Sequence, residues 1–74
     1  MEVFRMTAVV EKDEDGYFAF CPELQGCYTQ GATHEEALDN LRDAVKLHLA
    51  DRKDSGESVK KPSSVTLTTL EVTV

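Results

Sequence analysis

The chain has no long apolar run, no tryptophan and few aromatic side chains. Its 74 residues include three Phe, two Tyr and no Trp. A membrane-spanning helix needs about 20 consecutive apolar residues, which are absent here. The first ten residues, MEVFRMTAVV, also lack the charged region and the sustained apolar stretch of a signal peptide. We therefore expect one small cytoplasmic domain, residues 1–74, without membrane contact.

Cysteine and histidine are scarce, with two of each: Cys21, Cys27, His34 and His48. A closed zinc site normally takes four ligands, and no further cysteine completes one here. We expect both cysteines to be small reduced core residues, although a disulfide around Pro22 is the alternative in an oxidising compartment. Glycine fingerprints for phosphates and dinucleotides are missing. The sequence thus predicts no metal and no cofactor.

Basic residues are also scarce, since eight Lys and Arg face 14 Asp and Glu, a formal net charge of −6. Such a field repels nucleic acid and would attract a basic partner, although solubility alone explains it equally well. The sequence pattern predicts no DNA-recognition helix. We predict no direct DNA or RNA binding.

The positions of the acids, cysteines and histidines can be compared with two catalytic arrangements. The acids of the turn, Asp13 to Asp15, would be too mobile to form a metal cage for a nuclease. A Cys–His nucleophile pair would lack an orienting third group and an oxyanion donor. We therefore predict no catalytic residues and no enzyme activity.

The alternation and the turn signals predict the order β-β-β-α-β, an α+β fold with one helix on one face of a small antiparallel-rich sheet. Three strands are expected at 3–12, 17–21 and 27–30, followed by a helix at 33–53, a linker at 54–64 and a final strand at 65–74. Asp15-Gly16 is typical of a primed hairpin turn, and Pro22 stops the second strand. Thr33 and Glu36 form a capping box that opens the helix.

One helix can cover one face of this sheet. Its apolar stripe comprises Leu38, Leu41, Val45 and Leu49, with Ala37 and Ala44 beside it. We expect the other face to carry Val3, Val9, Tyr17, Ala19 and Cys21, and to need a cover. Leu47 projects away from the stripe, either as an ordinary exposed side chain or as a contact with another subunit.

The final strand changes its alternation midway. Val65 and Leu67 share odd parity, whereas Leu70, Val72 and Val74 share even parity. Either a bulge lies near Thr68-Thr69, or the strand changes partners there and reaches a neighbouring subunit, the option we favour. The predicted oligomer interface, of a dimer or a tetramer, is Val3, Val9, Tyr17, Leu47, Leu70 and Val72.

The stretch from Gly16 to Leu38, GYFAFCPELQGCYTQGATHEEAL, resembles the HicB-like antitoxin family. The matching positions are Gly16, Tyr17, Ala19, Pro22, Glu23, Leu24, Gly26, Cys27, Gly31, Thr33, Glu35, Glu36, Ala37 and Leu38, within a resemblance that runs from about Phe4 to Leu49. It implies a partial ribonuclease-H-like fold. Many relatives carry a second, DNA-binding module, and this chain departs from that pattern.

The resemblance implies an antitoxin that binds and masks a small basic HicA-type mRNA interferase in a type II toxin–antitoxin system. From charge and expected exposure, the partner-binding residues would be Asp13, Glu14, Asp15, Glu23, Asp39 and Asp43. The alternative is a stand-alone homo-oligomer with a binding or scaffold role and no toxin.

Overall fold

Three antiparallel strands and one helix make up the regular structure of the chain. A computed structural model describes residues 3–56 and 64–74. In chain order the elements are β1 (Val9–Asp13), β2 (Gly16–Phe20), β3 (Tyr28–Gly31) and α1 (His34–Asp54). The sheet order is β1-β2-β3, and both neighbouring pairs are antiparallel. The predicted α+β class and the first four elements are confirmed.

The hairpin between β1 and β2 differs from the predicted turn. Asp13 pairs with Gly16, so the turn residues are Glu14 and Asp15. Neither has a positive φ, whereas Gly16 has φ +133°. The predicted primed type is therefore wrong, because a primed turn needs a positive φ at its first central residue. The positive φ of Gly16 is as predicted, although this residue follows the two central positions. The Asp13 carboxylate accepts the Asp15 N–H at 2.8 Å and fixes the turn.

The first strand begins later than predicted, at Val9 rather than Val3. Val9 pairs with Phe20, the last residue of β2, so residues 3–8 extend past the end of their partner strand. The chain leaves the sheet at Pro22, which has no N–H to donate to a ladder. The Thr7 N–H is instead accepted by the Glu23 carboxylate, at 3.0 and 3.1 Å. The Glu23 side chain thus accepts a backbone N–H that a neighbouring strand would otherwise accept.

The helix begins where the capping pattern predicts. Thr33 is the N-cap, and its Oγ1 accepts the Glu36 N–H at 3.0 Å. The Glu36 carboxylate accepts the N–H of Ala32 at 3.2 Å. The helix ends at Asp54, and the Ser55 N–H closes its last turn on the carbonyl of Asp51.

The helix packs on the face of β2 opposite to the one we expected, whereas Val9 of β1, which pairs with Phe20, lies on the uncovered face as predicted. The buried core consists of Ala19, Cys21, Leu24, Cys27, Ala37 and Leu41, with Met6, Val10 and Tyr17 packed against it. Placing Tyr17, Ala19 and Cys21 on the uncovered face is therefore wrong. The uncovered face carries Phe18, Phe20 and Tyr28 instead, because strand neighbours alternate between faces.

Small residues explain which face receives the helix. A Cβ on Gly31 would lie 2.5 Å from the backbone nitrogen of Ala37, so the helix backbone lies almost against β3. Ala19, fully buried on β2, leaves room for the same approach. Aromatic side chains at these two positions would hold the helix away, and Phe18, Phe20 and Tyr28 lie on the other face.

The predicted fourth strand is not seen. Residues 64–74 form no strand in the structure, although they are rich in β-branched side chains. A strand forms when its backbone N–H and C=O groups bond to a neighbouring strand edge. Within the described part of the chain, residues 64–74 pair with no such edge. Most of the predicted linker, residues 57–63, lies outside the described residues.

Candidate functional site

The candidate features among the described residues are two buried cysteines, groups of exposed acids and exposed apolar side chains. Within 3–56 and 64–74, no group of three or more His, Cys, Asp or Glu side chains could hold a metal ion. The same ranges contain no helix that is long and apolar enough to cross a membrane.

The two cysteines are buried free thiols beneath the helix. Desolvation by burial raises the pKa of both the Cys21 and the Cys27 thiol. A thiol with a raised pKa holds less of the nucleophilic thiolate at neutral pH. Backbone hydrogen bonds join them across the loop, since the Cys21 N–H donates to the carbonyl of Cys27 at 3.1 Å. Their environment is that of core side chains.

The acidic turn between β1 and β2 is the most concentrated charge in the described structure. Asp13, Glu14 and Asp15 are all exposed there. The turn lies at the end of the sheet where the helix begins, because Tyr17 pairs with Gly31 and its ring contacts that of His34 at a centroid distance of 6.3 Å. The turn therefore presents carboxylates beside the helix N-terminus.

The helical acids form a second group of charges. Asp39 and Asp43 are exposed one helical turn apart, on the side of α1 that faces away from the sheet. The Arg42 guanidinium donates to the Asp39 carboxylate at 3.1 Å and offsets part of its charge. Asp43 is thus the less compensated acid of the pair.

Sequence reasoning missed Glu35, which it assigned to helix capping. The carboxylate that accepts a backbone N–H at the helix start is that of Glu36. The Glu35 carboxylate lies 3.1 Å from Nδ1 of His34, and its side chain is 81% exposed. It lies in the first turn of α1, close to the acidic turn. The sequence signal for Glu35 was the pair of adjacent acids after the N-cap, because a capping box needs only one carboxylate.

Glu23 differs from the other predicted partner-binding acids. It is half-buried at the far end of β2 from the acidic turn, and its carboxylate accepts the N–H and the Oγ1–H of Thr7. Desolvation opposes ionisation, but these hydrogen bonds outweigh it and lower the pKa of Glu23. The structure does not bring Glu23 together with Asp13, Glu14 and Asp15.

The uncovered sheet face carries an aromatic cluster. The Phe18 ring lies 5.7 Å from the ring of Tyr28 and 6.0 Å from that of Phe20, measured between centroids. Tyr28 is 62% exposed. An open depression beside the cluster is lined by Pro22, Gln25 and Gly26 among others. Sequence reasoning placed Phe18 and Phe20 on the side under the helix and assigned no face to Tyr28, so it missed the cluster.

The predicted oligomer residues lie at several different places. Val3, Leu47, Leu70 and Val72 are strongly exposed, Val9 lies on the uncovered face, and Tyr17 is half-buried against the core. A groove between residues 3–8 and the helix adds a further apolar surface. Whether any of these residues contacts a second subunit stays a prediction.

Comparisons with known proteins identify the family. The family model described as "HicB_like antitoxin of bacterial toxin-antitoxin system" matches residues 6–72. A UPF0150 protein of Helicobacter pylori is 56% identical over 46 residues, 62% of this chain and 64% of its own length. A UPF0150 protein of Thermoplasma acidophilum is 35% identical over 65 residues, 86% of this chain and 94% of its own.

Coverage of the relatives is uneven. The match with a UPF0150 protein of Synechocystis, 45% identical, covers 65% of this chain and 62% of that protein, so the chain spans slightly less than two thirds of it and of the Helicobacter protein. No solved structure matches. The family match extends over most of the residues described above, from the segment before β1 to Val72 in the apolar C-terminal segment. The chain belongs to the HicB-like antitoxin family.

Proposed function

We propose that this chain is an antitoxin that binds a small basic toxin of the HicA type and masks its RNA-binding surface. The observation that carries the proposal is the family match over residues 6–72. The resemblance supplies the identity of the toxin, an mRNA interferase. The chain would act by binding, not by catalysis.

The charge distribution supports this proposal. A toxin that binds RNA must present a positive surface to the phosphates, and an acidic protein is steered toward such a surface. The chain has a net charge of −6, and the acidic turn adds a local concentration of exposed carboxylates. We propose that Glu14 and Asp15 meet the toxin first, with Asp43 and Glu35 at the side.

The carboxylates of the remaining predicted contact residues already accept hydrogen bonds within the chain, which reduces their contribution to binding a partner. Asp13 holds the turn through the Asp15 N–H, Asp39 is paired with Arg42, and Glu23 holds Thr7. Their carboxylates contribute to the net negative field of the whole molecule. We expect direct contacts mainly from the turn.

A matched pair of variants tests the local role of the turn. Glu14→Gln/Asp15→Asn and Asp51→Asn/Asp54→Asn change the net charge equally, but the second pair lies in the last turns of α1. We expect the first to weaken binding to a catalytically inactive HicA-type toxin by about tenfold, because two exposed ion pairs contribute roughly 0.4–2 kcal/mol in total. Calorimetry at low and high salt measures this, and the difference should shrink with salt. Equal weakening by both pairs would contradict a local contact.

The second candidate function is a stand-alone homo-oligomer without a toxin. The exposed apolar residues of 64–74 favour it, since such side chains favour burial against another protein surface whether or not a toxin exists. A short reading frame for a basic protein next to this gene favours the antitoxin. Co-expression of both proteins without capture of the toxin would remove the antitoxin proposal.

A further inference from the structure

The aromatic cluster of Phe18, Phe20 and Tyr28 lies on the face of the sheet that α1 leaves open. Phe20 pairs with Tyr28 across β2 and β3, and Phe18 stands two residues earlier in β2, so the three rings project to the same side. Phe18 and Phe20 are half-buried, and Tyr28 is 62% exposed. Aromatic side chains bury a large area and often form the centres of protein interfaces.

The depression beside the cluster is lined by uncharged residues. It has a volume of about 380 Å³, and the three rings face residues of the loop 21–27 across it. Glu23, the charged residue of this loop, does not line the depression, and its carboxylate accepts the Thr7 N–H instead. An uncharged depression beside aromatic rings suits an apolar side chain of a partner.

The charges around the cluster indicate what kind of partner it would bind. Glu11 pairs with Phe18 and therefore lies on the face of the cluster, and the acidic turn follows at the end of β1. Lys12, the basic residue of the three strands, lies on the opposite face, with its Nζ 5.8 Å from the ring centroid of Tyr17. A complementary surface would carry an apolar side chain with Lys or Arg around it.

Charge also disfavours two other occupants. A second copy packed face to face through the same patch would place the acids of both copies in one interface, and opposed like charges are costly. Bases of a single-stranded RNA can stack on an aromatic sheet face, but the acids here and the net charge of −6 repel its phosphates. A basic protein surface meets neither obstacle.

We infer that the aromatic cluster is the centre of the surface that binds the basic toxin, and that the depression receives an apolar side chain of this toxin. This role rests on the proposed function and extends it, because the acids explain only the attraction and its dependence on salt. Burial of the rings supplies the part of the affinity that salt does not screen. Glu11 and the acidic turn pair with the basic side chains at the border.

Tyr28→Lys and Leu47→Lys form a matched pair of variants. Each replaces a large exposed side chain, 62% and 72% exposed, by the same cation, but Leu47 lies on α1, on the other side of the sheet. In calorimetry at high salt, Tyr28→Lys should weaken binding to a catalytically inactive HicA-type toxin by about tenfold or more. Leu47→Lys should weaken it by less than about threefold. Tyr28→Phe, which keeps the ring, should restore most of the lost affinity.

The outcomes distinguish the role of the cluster from the proposed function. If the unmodified chain binds the toxin and Tyr28→Lys binds it as well as Leu47→Lys does, the role of the cluster is overturned and the function stands. If the unmodified chain does not bind the toxin, both are overturned. A dimer that Tyr28→Ala dissociates in light scattering, or a single-stranded oligouridylate whose binding Tyr28→Ala abolishes, would assign the cluster to another occupant and overturn the inference equally.

Hydroxyl-radical footprinting tests the same surface without a substitution. In the complex of the unmodified chain with the inactive toxin, oxidation of the Tyr28 ring should fall several-fold, whereas oxidation of Leu47 should change little. An unprotected Tyr28 in that complex would contradict the inference even if the Tyr28→Lys variant fails to fold.

Discussion

At the scale of single residues, the carboxylate of Glu23 shows how one side chain replaces a strand. It accepts the Thr7 N–H and the Thr7 hydroxyl, and the Cys21 thiol lies 3.5 Å away. Sequence reasoning assigned Glu23 to the partner surface, because an acid beside Pro22 reads as an exposed loop residue. The contact joins residues 16 positions apart, and no local sequence pattern indicates a contact between residues so far apart in the chain.

Glu23→Gln should lower the free energy of unfolding at pH 7 by about 1 kcal/mol, since it removes the charge from these hydrogen bonds. The folded-state pKa of Glu23 is lowered, so its stabilisation is present above the unfolded pKa of about 4.3 and is lost as pH falls through the folded value. Urea unfolding should show a larger difference between the two proteins at pH 7 than at pH 3. Glu11→Gln, an exposed acid of β1, is the control. A difference of the same size at pH 3 would mean that charge has no part.

At the scale of elements, the positions of the strands and the helix could be predicted better than their packing. Capping at Thr33 and Glu36 placed the helix start correctly, because its signal lies within four residues. The covered face was predicted correctly for β1 but wrongly for β2, since the pattern of β2 offers apolar residues on both faces. The close contact at Gly31 decides between them, and it depends on residues of two different elements.

Gly31→Ala should destabilise the fold by about 2 kcal/mol, because its Cβ would meet backbone atoms of α1 that cannot move independently of the helix. This corresponds to a fall in Tm of roughly 10 °C for a chain of this size. Gly26→Ala is the comparison, since a Cβ there meets nothing within 4 Å and its cost comes from φ +78° alone, about 1 kcal/mol. Thermal unfolding by circular dichroism measures both. A Gly31 variant as stable as the Gly26 variant would show that the helix can shift at little cost.

At the scale of the whole molecule, the family was recognisable from the sequence, whereas the open surfaces were not. The glycine, proline and capping positions from Gly16 to Leu38 identify the family, and the match over residues 6–72 confirms it. The groove and the aromatic cluster arise from how the helix is set on the sheet, which the strand pattern alone left undecided.

If the chain forms a homo-oligomer, as in the second candidate function, its thermal stability should depend on protein concentration. A hundredfold increase in concentration should raise Tm by roughly 5–10 °C, because mass action favours the associated folded state. Differential scanning calorimetry over that range measures the shift. The Leu70→Asp/Val72→Asp variant should melt at one temperature throughout. A concentration-independent Tm for the unmodified chain would argue against association during folding.

The two edges of the sheet are not equivalent. The side-chain amide of Asn40 donates to the carbonyl of Gln30 at 2.9 Å, and β3 has four residues. A short border strand with an occupied carbonyl is a poor template for further strands. Chains that can recruit neighbours at both borders grow into fibres, whereas growth here is blocked on one side. We therefore expect further strands to add at the border of β1 rather than at both borders of the sheet.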